Sequence, residues 1–322
     1  MLGRRTFLTL TLTGLAARVA GAQPAKPIPR VGWLSTDPEP DPFIDGLREG
    51  LKAHGYVDGQ NVIIERRNAP GNLDALRAAA AEMVKEKVAF IVAAGPAIWA
   101  ARTVQDVSVL FVISGDPVEL GVANSLSRPG RNFTGVTFLS LEVAAKRVQL
   151  LKEALPRLRS IAALSNVHHP GEASERRATE EAAQALGITL VYVPFKTAAE
   201  LDQGLRGVRE AKPEAMVVFP DGATVSNRAR IAEFAIANRL PSMFGWSEYV
   251  DAGGLMSYGA NVRETYIQLA GFADRVLRGA RPADLPIVQP ARFELVINGK
   301  TAKALDVAIP SSLVVRAARV IG

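Results

Sequence analysis

The sequence predicts an α/β protein of two lobes, each built on an open parallel sheet and joined to the other by several strands. Short apolar segments start at residues 31, 62, 90 and 110, and a second set starts at 161, 190, 215 and 242. Each interval suits one strand, one helix and a loop. The segments (VGWLS, VIIER, FIVAAG and LFVIS, then IAALSN, LVYVPF, AMVVFP and SMFG) are apolar nearly throughout, as strands covered on both faces are. Between them, apolar residues recur at the 3.6-residue period of a helix with one buried face.

The helices follow in order. Leu73, Leu76, Ala80, Met83 and Val84 share one face, as do Ala144, Val148, Leu151 and Leu155, and later Ile231, Phe234, Ala235 and Asn238. One seam between lobes is expected at FTGVTFLSLE (133–142), where one more strand precedes a new helix. A second is expected at 256–261, ahead of a helix from about Arg263 to Leu277 that carries Tyr266, Leu269, Phe272 and Val276 on one side. A third is the Pro-rich ARPADLPIVQP (280–290), too long for a tight turn. The expected division is 29–138 plus 258–282 for the first lobe and 139–257 plus 283–322 for the second. Several crossings make a hinge instead of a loose linker.

Composition narrows the function. The chain has 322 residues, 48% of them hydrophobic and 22% charged, with a formal charge of +6. Residues 1–22 hold Arg4, Arg5 and Arg18 and no acidic residue; without them 35 basic side chains face 32 acidic ones. A balance of +3 with no basic stripe is no nucleic-acid footprint. Arg4-Arg5, the apolar segment 7–17 and Ala20-Gly21-Ala22 read as a cleavable export signal over 1–22. Arg-Arg-x-Phe-Leu resembles a twin-arginine leader, with the general secretory route as the alternative. The apolar run is about half the ~20 residues that span a bilayer. With no Cys there is neither a disulfide nor a lipidation site, so a periplasmic protein without a lipid anchor is expected.

In open parallel sheets, ligands bind beyond the carboxyl ends of the strands. The loops there hold Ser35-Thr36-Asp37, Gly95-Pro96-Ala97 and Ser114-Gly115-Asp116 in the first half. In the second half they hold Asn166-Val167-His168-His169, Pro220-Asp221-Gly222 and Gly245-Trp246. Two such sheets face to face would set all six loops around one crevice. Ser35, Thr36 and Ser226 serve equally well as helix caps, and Asp116 and Asp221 stand in turn sequences that explain them without a ligand. Trp246 and Tyr258 would by default be packing residues. Three His, no Cys and no His-x-x-x-His spacing give no metal site. Dinucleotide, phosphate-loop, zinc-protease and nucleophile-elbow signatures are all absent. No cofactor is expected, and capture is favoured over catalysis.

The stretches FIDGLREGLKAHGYVDGQNVIIERRNAPGN (43–72), FIVAAGPA (90–97), GDPVELGVANSLSRPGRNFTGVTFLS (115–140), KRVQLLKEALP (146–156), EYVDAGGLMSYG (248–259) and QPARFELVINGKTAKALDVAIPSSLV (289–314) resemble the ABC transporter substrate-binding proteins, in the branch with tryptophan- and tyrosine-binding members. The resemblance covers essentially all of the chain after the leader. It implies a type I periplasmic-binding fold of two Rossmann-like lobes, a monomer that closes on a small molecule and presents it to an inner-membrane ABC permease. An amino acid, or an aromatic or branched small carboxylate, is the implied ligand class. Three positions depart from the pattern. Pro96 stands where relatives carry a hydroxyl, Ser165-Asn166-Val167 replaces a Trp-Asn-Pro loop, and Trp246 replaces a smaller or different side chain.

The expected site is therefore Ser35, Thr36, Gly95, Pro96, Ala97, Ser114, Asp116, Asn166, His168, Asp221, Trp246 and Tyr258. Asp116 and Asp221 would oppose a ligand cation. Asn166, Ser114 and the N–H groups of Gly95 and Ala97 would take a carboxylate, and Trp246 and Tyr258 would cover the apolar body. A periplasmic sensing subunit is the alternative use of the same architecture. An exported hydrolase built on His168 or His169 with Asp221 is a further one.

Overall fold

The computed structural model describes residues 27–41, 43–138 and 141–322. The expected export signal lies outside them. Five strands form the first sheet: β1 (Arg30–Ser35), β2 (Ile63–Asn68), β3 (Phe90–Ala94), β4 (Ser108–Ile113) and β5 (Phe133–Thr137). Their order is β2-β1-β3-β4-β5, every pair parallel. The second sheet holds β6 (Ser160–Asn166), β7 (Thr189–Phe195), β8 (Ala215–Val218), β9 (Ser242–Phe244), β10 (Met256–Gly259), β11 (Glu294–Asn298) and β12 (Arg319–Ile321). Their order is β12-β11-β10-β9-β8-β6-β7.

Burial explains the uniform apolarity of the central strands. All five residues of β3 and the last five of β4 are buried, and β8 is buried throughout. Helices cover both faces of these strands, so neither side can be polar. Edge strand β2 instead reads Ile-Ile-Glu-Arg-Arg-Asn, with only Ile64 fully buried. The charged side chains of such an edge discourage pairing with another chain.

The sheet pairing shows where the chain changes lobes. It leaves β5 for the helix Leu141–Ala154, which packs on β9 and β10 of the second lobe. It returns after β10, since the helix Val262–Leu277 packs on the helix Ile44–Ala53 and on β4 and β5. Tyr266, Leu269 and Phe272 are the buried face of that returning helix, as its period predicts. Residues 285–288 then run beside β5: Ile287 N donates to the Leu126 carbonyl at 2.8 Å and Val288 N to that of Gly135 at 3.1 Å. The third crossing follows, into β11.

Three features depart from the expected layout. Residues 285–288, expected in the second lobe, lie along β5 of the first. The strand at 256–259, expected to lead back toward the first lobe, is paired on both sides within the second sheet, with β9 and β11. The second sheet is also not wholly parallel, because β10 and β11 run antiparallel. The connectivity requires it: β10 ends at the hinge and β11 starts there, so as neighbours they must point in opposite directions.

Candidate functional site

The carboxyl ends of the two sheets meet across a cleft, and the lobes touch. The Trp99 indole of the first lobe donates to the His168 carbonyl of the second at 3.0 Å. A Cβ on Gly115 would lie 2.6 Å from the Pro170 carbonyl oxygen, so only glycine allows this approach. Near the hinge, Trp246 lies edge-on to Phe43 (ring centroids 5.9 Å apart) and 5.7 Å from Phe138.

Cavities lie between the lobes, and two of them bear on the expected site. The inner one, by the hinge, is lined by Ser114 and Phe138 from one side and by Arg147, Glu175, Pro220 and Trp246 from the other. Its volume of about 30 Å³ is room for a water or two. The outer cavity, of about 430 Å³, is walled by Thr36, Pro38, Pro70, Gly71, Leu73 and Pro96 of the first lobe. Asn166, His168, Lys196, Thr197, Ala223 and Ser226 are among its walls on the second. That volume lies within the range of about 300–1,000 Å³ usual for small-molecule clefts. Most of its wall is apolar, with a few hydroxyl and amide groups that could orient a guest.

Four of the twelve expected residues, Thr36, Pro96, Asn166 and His168, line the outer cavity, and Ser114 and Trp246 line the inner one. The other six line neither. Ser35 is fully buried and its Oγ accepts from the Asp37 N–H at 3.0 Å. Gly95 opens a short 3-10 turn with φ +51°, and Ala97 points into the core. Asp116 accepts the Val118 N–H at 2.7 Å, a turn bond within its own loop. Asp221 caps the helix Gly222–Ser226 through a reciprocal bond pair with Thr224, and it takes the Asn166 amide at 2.5 Å. It therefore stands one residue behind the cavity wall. Tyr258 packs toward Phe293, and its carbonyl receives Arg147 Nε at 2.8 Å.

Two buried groups stand out that the site reading passed over. Asp37 is 1% exposed; its Oδ2 accepts from Ser35 Oγ at 3.1 Å, and its Oδ1 has no partner. Burial, and after it the charges of Asp41 and Asp221, push the Asp37 carboxyl well above the usual carboxylate range. Its loop position was visible in the sequence, but Ser-Thr-Asp after a strand looks the same whether it caps or binds. The second group is a buried cluster at the inner end, where Arg147 pairs with Glu175 and Glu175 Oε2 is 3.0 Å from His169 Nε2. Burial alone would raise the Glu175 pKa, but the Arg147 charge and the His169 hydrogen bond outweigh it and hold the carboxyl below its ordinary range. No spacing motif joins residues 147, 169 and 175, so only the fold brings them together.

Against known proteins, the family described as "ABC transporter substrate binding protein" matches residues 35–321. The chain belongs to that family. The substrate-binding protein is 26% identical over 279 residues to a tyrosine-binding protein of Clostridioides difficile, a match spanning 86% of this chain and 80% of the relative. A conserved domain protein of Vibrio cholerae superposes with TM-score 0.83 at 26% identity, covering 91% of this chain and 99% of that one. A protein of Streptococcus pneumonia crystallised with L-Trp gives TM-score 0.83 at 24% identity, with the same coverage. The substrate-binding protein thus has the two-lobed type I periplasmic-binding fold. Among its described residues no helix is long and apolar enough to cross a membrane, and no group of three His, Cys, Asp or Glu is placed to hold a metal ion.

Proposed function

We propose that this protein captures a small molecule, an amino acid or an aromatic or branched small carboxylate with an aromatic amino acid first in line, by closing its two lobes over the outer cavity, and hands it to an inner-membrane ABC permease for import. The observation that carries this reading is the cavity of about 430 Å³ walled from both lobes. A ligand seated there contacts Thr36 and Pro96 on one side and Asn166, His168 and Ser226 on the other, so its binding energy favours the closed state over the open one. The tyrosine-binding relative and the neighbour holding L-Trp support the ligand class. The sequence signals of a leader at 1–22 without Cys support a periplasmic protein without a lipid anchor. It acts as a monomer and carries out no chemistry on its ligand.

The test is a thermal-shift screen of the mature protein after unfolding and refolding to strip bound solutes. L-tyrosine, L-tryptophan and the branched amino acids come first, then aromatic acids. A ligand at about 100 times its dissociation constant stabilises the folded state by about 2.7 kcal/mol, which is readily seen. Silence across this panel would contradict the ligand class.

A further inference from the structure

The charge lining the outer cavity is of one sign. Apart from the His168 imidazole, Lys196 is the one ionisable side chain among its described wall residues, and no Asp or Glu lines it. Lys196 directly follows β7 in the second lobe and is exposed. Its backbone N–H donates to Glu200 Oε2 at 3.1 Å, but its Nζ has no ion pair or hydrogen bond with any described residue. Glu200 borders a different hollow, with Gln203 and Arg206. The acids beside the wall residues are engaged elsewhere. Asp221 caps its own helix and takes the Asn166 amide, while Asp37 is bound by Ser35 and closed off by Gly222. The wall offers donors instead. The Thr36 and Thr197 hydroxyls have no partner among the described residues, and neither does the buried Ser226 Oγ.

A second hollow, of about 400 Å³, adjoins this cavity and shares Leu73 and His168 with it. It too is lined by cations, Arg77 and Arg102, and by no acid among the described residues. Arg77 pairs with Asp74. The Arg102 guanidinium lies 5.5 Å from the Trp99 ring centroid and has no acidic partner among the described residues. Unpaired cations along a cleft with apolar walls raise the local concentration of anions. An ammonium group entering the outer cavity would leave water without a counter-charge, which is costly. A carboxylate entering it meets charge-assisted donors.

We propose that Lys196 is the specificity-determining residue for a carboxylate, and that the ligand is an apolar-bodied small carboxylate to which an α-amino group adds no affinity. This rests on the reading of the outer cavity as the ligand site and sharpens its substrate class. The carboxylate takes the Lys196 ammonium and the neighbouring hydroxyls, and the body lies along Pro38, Pro70, Leu73 and Pro96.

The experiment is titration calorimetry on the stripped mature protein with three sets of compounds, each built on one apolar body. They are L-tyrosine, 3-(4-hydroxyphenyl)propionate and tyramine; L-tryptophan, indole-3-propionate and tryptamine; and L-leucine, 4-methylpentanoate and 3-methylbutylamine. Wild type, Lys196→Gln and Lys196→Arg are compared, with thermal unfolding showing that the variants fold. In the set that binds best, the deaminated acid is expected to bind at least as tightly as the amino acid. The amine, which lacks the carboxylate, should bind at least about 10-fold more weakly, the range of a hydrogen bond to a charged group. Lys196→Gln should weaken the acid about 3- to 10-fold, less than a buried pair because the ammonium is exposed, and should leave the amine unaffected. Lys196→Arg should keep most of the affinity. An amine bound as tightly as its acid, an amino acid bound about 10-fold better than its deaminated acid, or an acid indifferent to Lys196→Gln would overturn this proposal alone. Silence from all nine compounds would overturn it together with the ligand class on which it rests.

Discussion

At the inner end of the cleft, Trp246 packs on Phe43 and Phe138, and Arg147 and His169 both engage the Glu175 carboxylate. At the outer end, a cavity of about 430 Å³ is edged by polar groups that include Ser226, whose buried Oγ has no partner. The inner end therefore resembles a protein core, in which polar groups are paired and little space is left. The outer end is incomplete in the way a binding site is before its ligand arrives. On the function proposed above, the inner end serves as hinge and latch and the outer end as the place of recognition.

Changes at the inner end should cost the most stability and the least selectivity. Arg147→Ala leaves Glu175 buried without its main counter-charge and should lower folding stability by about 3–5 kcal/mol, measured by urea unfolding. Trp246→Ala should come next, with a loss of about 3 kcal/mol. Because Trp246 belongs to one lobe and Phe43 and Phe138 to the other, part of that loss should appear as a more open empty protein in X-ray scattering. Acid should act on the same end. The depressed Glu175 pKa means its pairing stabilises the fold above the unfolded carboxyl value of about 4.3. That contribution is lost as the pH falls through the lower, folded value. Thermal unfolding followed into acid should show a shallower decline in Glu175→Gln than in wild type. The smallest stability effect should be at the outer end: Ser226→Ala removes no hydrogen bond and should stay within about 0.5 kcal/mol of wild type. If Ser226→Ala destabilised the fold as much as Trp246→Ala, the contrast between the two ends would collapse.

Much of the framework was legible in the chain. The eight apolar segments are β1 to β4 and β6 to β9 to within a residue or two, and the strand at the first seam is β5. Their periodicity is a local property, and parallel strands buried on both faces leave no other pattern. Strands β11 and β12 were not anticipated. Glu-Leu-Val-Ile-Asn and Arg-Val-Ile are short and follow a Pro-rich crossing, and their pairing depends on where that crossing delivers the chain. The site was legible only as a set of strand-end loops. Which acid faces the opposite lobe is not a local property. Asp116 and Asp37 both follow a strand and both neighbour a proline, yet one closes its own turn and the other meets Gly222 across the cleft. Trp246 shows the same limit: its place on the last parallel loop was evident, but its role as a wedge between lobes depends on Phe43 and Phe138, which are distant in sequence.

The most direct test is a crystal structure of the stripped protein grown with the compound that wins the thermal-shift screen. The account predicts the ligand in the outer cavity, in contact with Thr36 and Asn166, with Trp246 still packed on Phe43 and Phe138. A ligand seated at the inner end among Ser114, Phe138 and a displaced Trp246, with the outer cavity empty, would contradict it.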